Sequence, residues 1–181
     1  MDAKRGKHVS KFLSLHSRHE PEKLGLTLEP GGWVPIHALL AGAARAGVRI
    51  SREELDEVVR TSDKQRFAID DTGTKIRANQ GHSAEVDLQL EPADPPAELY
   101  HGTADRNLDA ILRDGLRKMA RHHVHLSQDR ETATSVGTRH GRPVVLVVDA
   151  AGMRADGHGF FRSANGVWLV EAVPPRYLRT L

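Results

Sequence analysis

Cysteine is absent from this 181-residue chain. That excludes disulfides, thiolate nucleophiles and every zinc or iron–sulfur site built on thiolates. Any metal would have to be held by histidines and carboxylates. No run of about 18 apolar residues is available to span a bilayer. The opening stretch MDAKRGKHVSKF is basic, without the apolar run and small-residue cleavage site of a secretory signal. The expected location is therefore the cytoplasm, with no membrane partner. Phosphate loops of the P-loop or dinucleotide type are missing, since Gly81-His82-Ser83 and Gly102-Thr103 match neither spacing. There is no HExxH, no GxSxG and no internal repeat. His123 and His125 on one strand, with His101, offer imidazoles to a metal, but no carboxylate joins them and no metal is expected.

What is present is charge that is sorted rather than unbalanced. Lys and Arg number 26 against 24 Asp and Glu, for a formal net charge of +2. Basic groups gather in residues 1–23, at Lys4, Arg5, Lys7, Lys11, Arg18 and Lys23. Acidic groups gather at Glu53–Glu57 and Glu85–Glu98. A basic face suits a polyanionic partner, and from charge alone it suits a merely solvated surface equally well. Eleven histidines is a high number for this length.

The length fits one large domain or two small ones. In the first half, Val9, Phe12, Leu13 and His16 fall on one face of a helix over His8–Arg18, which Pro21 ends. Arg18 and His19 then sit at a helix C-terminus, where the dipole favours cations. Trp33-Val34 reads as a short extended piece and Ile36–Ala46 as a second helix. Ser51-Arg52-Glu53-Glu54 is a capping box opening a third helix that runs to about Thr61. Phe67–Ile69 and Thr74–Ala78 flank a turn at Asp70–Gly73, a hairpin pattern. Three helices and a hairpin is the order of a winged helix-turn-helix, an order many small α+β units share. Residues 85–98, with Pro92, Pro95 and Pro96, read as a linker between residues 1–84 and 99–181.

The second half is rich in strands. Leu99-Tyr100-His101 forms a strand ending at Gly102-Thr103, and Asp105–Arg113 a short helix closed by Gly115. Asp129–Arg139 reads as helix, Val144–Val148 as a strand buried on both faces, and Phe160–Ser163 and Val167–Val173 as strands about an Asn165-Gly166 turn. The expected form is a split β-sandwich-like α+β domain. Within it the stretch Met119–Ser127, MARHHVHLS, alternates from His123 onward. Val124 and Leu126 would face a core, while His123, His125 and Ser127 share the open face. Arg121 stands just before them, which suggests a polar cleft. Arg18, Arg66 and Arg121 lie in three separate segments. Each alone fits a surface residue, but three guanidiniums converging on one phosphate would form a strong anion site.

Several ordered motifs resemble the tRNA (RNA) 2′-phosphotransferase family across nearly the whole chain. They are Ser10-Lys11 with Ser17-Arg18-His19, Gly32-Trp33-Val34, Asp63-Lys64-Gln65-Arg66-Phe67, and Ile76 to Ser83. Tyr100-His101-Gly102-Thr103, Arg121 to Ser127, and Ser163 to Leu169 follow in order. The resemblance implies an N-terminal winged-helix RNA-binding lobe and a C-terminal ADP-ribosyltransferase-like lobe, a split β-sheet holding NAD⁺. It implies an essential Arg-His-Arg-Arg set, which maps to Arg18, His19, Arg66 and Arg121. One departure is visible: His16 and Ser17 stand where the family has apolar residues, which bears on local helix packing.

The implied reaction consumes NAD⁺. An internal RNA 2′-phosphate attacks the anomeric carbon of the NAD⁺ ribose and expels nicotinamide. The neighbouring ribose 2″-OH then attacks that phosphate, giving RNA with a free 2′-OH and ADP-ribose 1″,2″-cyclic phosphate. For that reaction the expectation is that Arg18, Arg66 and Arg121 hold the phosphate and that His19 contacts it and assists proton transfer. His101, Gly102, Thr103, His125 and Ser127 are expected to hold NAD⁺, and Lys64, Gln80, His82 and Ser83 to contact RNA, though Asn79–Ser83 fits a turn closing the hairpin equally well. An apolar position in Asn165–Leu169 replaces the acidic residue of protein-modifying ADP-ribosyltransferases, which accords with a phosphate nucleophile needing no base. The expected partner is RNA carrying an internal 2′-phosphate, and the expected state a monomer. Two other functions fit the same features: ADP-ribosylation of terminal nucleic-acid phosphates, and a non-catalytic nucleic-acid-binding NAD⁺ sensor.

Overall fold

A computed structural model describes residues Met1–Leu181. The chain is a mixed α/β protein that divides into two compact units, Met1–Gln89 and Leu90–Leu181.

In the first unit, helix α1 (Ala3–Arg18) starts earlier than the apolar pattern alone suggests, because Asp2 caps it and accepts the amide of Arg5 at 2.8 Å. Val9 and Leu13 are its buried stripe. Helices α2 (Ile36–Arg45) and α3 (Arg52–Thr61) follow. The capping box at the start of α3 is complete: Ser51 Oγ accepts the Glu54 amide at 3.1 Å, and Glu54 accepts the Ser51 amide at 3.0 Å. Glu54 also takes Arg5 Nε of α1 at 2.8 Å, so one carboxylate clasps two helices. Strands β1 (Trp33–Pro35), β2 (Phe67–Ile69) and β3 (Lys75–Ala78) form an antiparallel sheet in the order β1-β3-β2. The turn between β2 and β3 is tied by Asp70, which accepts the amides of Thr74 and Lys75 at 2.9 Å each. Val9, Leu13, Val34, Leu39, Leu55 and Ile76 form the core. Burying each contributes roughly 1.5–3 kcal/mol against leaving it exposed.

In the second unit, β4 (Glu98–Ala104) is longer than the expected strand. It lies beside β7 (Pro143–Asp149), which pairs on its other side with β11 (Leu178–Thr180), a strand the sequence reading omitted. Between β4 and β7 come α4 (Leu108–Asp114), β5 (Leu116–Arg117), β6 (Val124–Leu126) and α5 (Arg130–Thr138). A further helix, α6 (Ala150–Ala155), follows β7 directly, its cap being Asp149, which accepts the Gly152 amide at 2.9 Å. Strands β8 (Phe160–Arg162) and β9 (Trp168–Val170) make a hairpin whose second strand also pairs with β6, and β10 (Ala172–Val173) pairs with β5. All these pairings are antiparallel. The two three-stranded sheets share one core through Leu99, Leu126, Val148, Phe160, Trp168 and Val170. Leu146, Val147 and Val148 are buried in succession, as expected of a strand covered on both faces, and α5 packs on β4 and β7. No helix is long and apolar enough to cross a membrane.

Candidate functional site

The expected residues of the first unit gather at the end of α1. Helix α1 closes when the amides of His19 and Glu20 both bond to the Leu15 carbonyl, at 2.9 and 3.0 Å, before Pro21. The two departures from the family pattern fit this end. Ser17 donates its hydroxyl to the Leu13 carbonyl at 2.6 Å, and His16 Nδ1 lies 3.2 Å from the Glu20 carbonyl, so each buried polar group is satisfied within the helix end. His16 also packs on Phe12 at 4.4 Å between ring centroids.

The segment after β3 reaches back to this helix end. The amides of Ser83 and Ala84 both donate to the Arg18 carbonyl at 2.9 Å, and Ser83 Oγ lies 2.7 Å from His19 Nδ1. Upstream, the Asn79 amide donates to the Arg66 carbonyl at 3.0 Å and its side chain to the Gln65 carbonyl at 2.5 Å. Residues 79–84 therefore tie the Arg66 backbone to the Arg18–His19 pair. The Arg18 guanidinium lies 5.9 Å over the ring of Phe67, the neighbour of Arg66, within cation–π range. Arg66 Nη1 is 3.7 Å from Asp63. Gln65 just before it has φ +42°, a left-handed conformation that non-glycine residues seldom adopt and that recurs at functional turns. Lys64 and Gln80 are half-buried, Ser83 is exposed, and His82 is buried. A Cβ on Gly32, which has φ +78°, would come within 3.0 Å of His82 Nε2, so Gly32 and His82 fit face to face.

Trp33 does not sit fully in the core. It is half-buried beneath the Arg77 guanidinium, 4.6 Å from its ring centroid. Trp168 of the second unit is core, at 5% exposure.

In the second unit the MARHHVHLS stretch is a strand only over Val124–Leu126. The basic part before it is turn, with Met119 at φ +53°. The amphipathic reading of its later part holds: Val124 and Leu126 are buried, and His123, His125 and Ser127 are half-buried. Past β6, Ser127 and Tyr100 exchange two backbone hydrogen bonds of 2.8 Å, which fixes β6 beside β4. That register brings His101 Nδ1 to 3.1 Å from the His125 carbonyl. A carbonyl only accepts, so Nδ1 carries the proton. Burial, with a lesser contribution from nearby His140, pushes the His101 pKa down and favours the neutral ring. Nε2 of His101 is then a hydrogen-bond acceptor. Arg121 Nη1 lies 3.2 Å from His125 Nδ1. A guanidinium only donates, so His125 meets it with an unprotonated nitrogen. Arg121, His125, His101 and Ser127 are thus joined through one strand pair. His123 stacks edge-on to Phe161 at 5.6 Å, and burial lowers its pKa.

Gly102 and Thr103 are placed differently. Both are buried in β4 under α5. A Cβ on Gly102 would lie 1.7 Å from the Ala133 carbonyl oxygen, so only glycine lets the helix approach this closely. Thr103 Oγ1 accepts from Asn107 Nδ2 at 3.3 Å. The residues sequence reasoning missed are connective ones, Asn79 and Asn107, which hold the segments carrying Arg66 and Thr103. Asn79 lies within the Ile76–Ser83 motif, which is the signal that could have found it.

A guanidinium beside an imidazole on each unit, Arg18 next to His19 and Arg121 3.2 Å from His125, is chemistry suited to binding anions such as phosphates. The particular family follows from comparison with known proteins. The chain belongs to the RNA 2′-phosphotransferase, Tpt1/KptA family, whose model matches residues 4–172. It is 62% identical over 179 residues to a protein of Streptomyces coelicolor, covering 99% of this chain and 97% of that one. It is 59% identical over 185 residues to one of Streptomyces griseus, covering 98% of each. A protein of Trichormus variabilis is 57% identical over 181 residues, covering 100% of both. All three relatives carry the name "Probable RNA 2′-phosphotransferase".

Proposed function

We propose that this protein removes an internal 2′-phosphate from RNA by transferring it to the ADP-ribose part of NAD⁺. The observation that carries the reading is the family match across residues 4–172, with Arg18, His19, Arg66 and Arg121 all in place. The first unit is read as a winged-helix RNA-binding lobe, from its three helices and hairpin. The second is read as an ADP-ribosyltransferase-like lobe that takes NAD⁺ as a consumed substrate. The protein acts as a cytoplasmic monomer in this reading.

In the first step a 2′-phosphate oxygen bonds to C1″ of the NAD⁺ ribose while the glycosidic bond breaks, and nicotinamide leaves with the bond's electron pair. RNA is then joined to ADP-ribose through the phosphate. In the second step the ribose 2″-oxygen bonds to phosphorus, the bond from phosphorus to the RNA 2′-oxygen breaks, and a proton passes from the 2″-OH to the departing 2′-oxygen. The products are nicotinamide, 2′-OH RNA and ADP-ribose 1″,2″-cyclic phosphate.

This chain's residues would divide the work as follows. Arg18, Arg66 and Arg121 hold the phosphate, whose charge is greatest to stabilise as the second step crowds it. His19 contacts the same phosphate and moves the proton of that step, the role imidazoles take in general acid–base catalysis. Its Nδ1 contact with Ser83 fixes the plane of the ring. The neutral His101 presents an acceptor at Nε2, a chemical fit to a ribose hydroxyl of NAD⁺. His125 and Ser127 complete that surface, with Gly102 and Thr103 shaping the strand beneath it. Lys64, Gln80 and Ser83 offer polar groups to RNA, with buried His82 holding their segment.

The test incubates a 2′-phosphorylated oligoribonucleotide with the protein, with and without NAD⁺. NAD⁺-dependent loss of the 2′-phosphate, with cyclic phosphate formed, is expected. A stable ADP-ribosylated product on terminal phosphates would instead indicate modification of nucleic-acid ends, and binding without turnover a sensor.

A further inference from the structure

Helix α1 carries a second polar stripe that the roles above leave unused. Lys7, Ser10, Lys11 and Ser14 recur at i, i+3, i+4 and i+7, the spacing of one helix side, apart from the buried Val9 and Leu13. They line one wall of a groove of about 500 Å³. The other wall is the end of α3 and the segment through Ser62 to Arg66. Sites that hold small ligands fall at roughly 300–1,000 Å³, so this groove has room for nucleotide-sized groups.

The charges in the groove are sorted. Its acids are already committed: Asp2 caps α1, Glu57 is paired with the Met1 amino group at 3.2 Å, and Asp63 lies 3.7 Å from Arg66. Lys7 and Lys11 take part in no ion pair, whereas Lys23, Lys75 and Lys118 each contact a carboxylate. The two unmatched lysines are one helical turn apart, about 6 Å along the axis, close to the interval between successive phosphates of an extended strand. No aromatic residue lines the groove. It therefore lacks the rings on which single-stranded bases stack, and its chemistry suits phosphate and ribose.

We propose that this groove holds the sugar–phosphate backbone of the RNA next to the phosphorylated nucleotide, without regard to base sequence. Lys7 and Lys11 each neutralise one backbone phosphate, and the strand runs along α1 from Arg66. The proposal rests on the reading above in that Arg66 is assigned there to the 2′-phosphate.

Two measurements on the full chain test it. The first is binding of an unphosphorylated, labelled single-stranded oligoribonucleotide over a series of salt concentrations, without NAD⁺. For single strands the slope of log K against log salt is about −0.7 per phosphate neutralised. Lys7→Gln/Lys11→Gln should therefore weaken binding and flatten the slope by about 1.4, while Lys7→Arg/Lys11→Arg keeps both. Unchanged affinity and slope in the Gln variant would overturn the proposal. The second compares turnover of a 2′-phosphorylated dinucleotide with that of a longer 2′-phosphorylated strand. The Gln variant should raise KM about tenfold for the long substrate and leave the dinucleotide unaffected. Equal loss on both substrates would overturn it. If the wild-type protein removes no 2′-phosphate at all, the reading of the reaction fails, and the binding series still decides the groove.

Discussion

Ser83 stands 64 residues from His19 in sequence and 2.7 Å from its Nδ1 in space. The hydroxyl can donate to that nitrogen or accept from it, but in both cases it sets the plane of the ring. General acid–base catalysis by a positioned side chain contributes about 10²–10⁴-fold, and losing the contact that positions the ring forfeits part of that. Ser83→Ala should lower kcat at least about tenfold, a larger factor than any rise in KM for RNA, and should move the pH profile of turnover. Ser83→Thr, which keeps the hydroxyl, should restore most of the rate. A Ser83→Ala protein with wild-type kcat and profile would leave Ser83 no positioning role. Gly102 makes a different demand. A methyl group there would lie 1.7 Å from the Ala133 carbonyl oxygen, which is backbone and cannot swing away. Gly102→Ala should therefore destabilise the second unit by about 3 kcal/mol, the upper part of the usual overpacking range, seen as a lowered melting temperature. Equal stability would show that α5 shifts off β4 freely. Activity lost in this variant would report on folding before it reported on NAD⁺.

At the level of elements, the clasp between α1 and α3 depends on one carboxylate. Glu54 accepts from Arg5 and from the Ser51 amide, and these hold its pKa down at about 2 against an ordinary 4.5. The folded state thus favours the ionised form, while the unfolded chain binds the proton more readily. The contribution is complete above pH 4.5 and fades as the pH falls from there towards 2. Glu54→Gln should cost about 1 kcal/mol at neutral pH, the scale of a lost helix cap with a partly exposed ion pair adding little. Melting temperatures between pH 5 and 3 should fall less steeply in the variant than in the wild type, and parallel curves would remove Glu54 from the clasp. This box was legible in the sequence because capping is local chemistry, readable from Ser51 and Glu54 alone. So were the Asp70–Gly73 turn and most of the buried run expected at Val144–Val148, of which Leu146, Val147 and Val148 are buried and Val144 and Val145 half-buried. The start of α1 was not legible, since Ala3–Lys7 has no apolar period and depends on Asp2. Helix α6 is too short to show a period, and β11 exists only because β7 offers it an edge. In the candidate site, the motifs named Arg18, His19, Arg66 and Arg121. The contacts that hold them, Ser83 to His19 and His125 to Arg121, come from register and chain return, which no local pattern carries.

On the scale of the whole chain, the proposed reaction draws on both units, since His19 belongs to Met1–Gln89 and Arg121 to Leu90–Leu181. Each unit has its own core, so neither residue is needed to fold the other's unit. Both are exposed, and truncating either should change stability little. Their chemical effects are separable from folding for that reason. The first step asks mainly for alignment of an anionic nucleophile with C1″, while the second asks for a proton transfer and for charge neutralisation at phosphorus. If His19 and Arg121 serve the second step, His19→Ala and Arg121→Ala should each still release nicotinamide and then stall with RNA joined to ADP-ribose through its 2′-phosphate. Single-turnover assays with labelled RNA, resolved by gel, would reveal that species, and its amount should exceed that in the wild type by at least about tenfold. Wild-type rates in both variants would remove the two residues from the mechanism. A variant that neither releases nicotinamide nor stalls would move its residue to the first step, where it would serve to align the phosphate with the sugar.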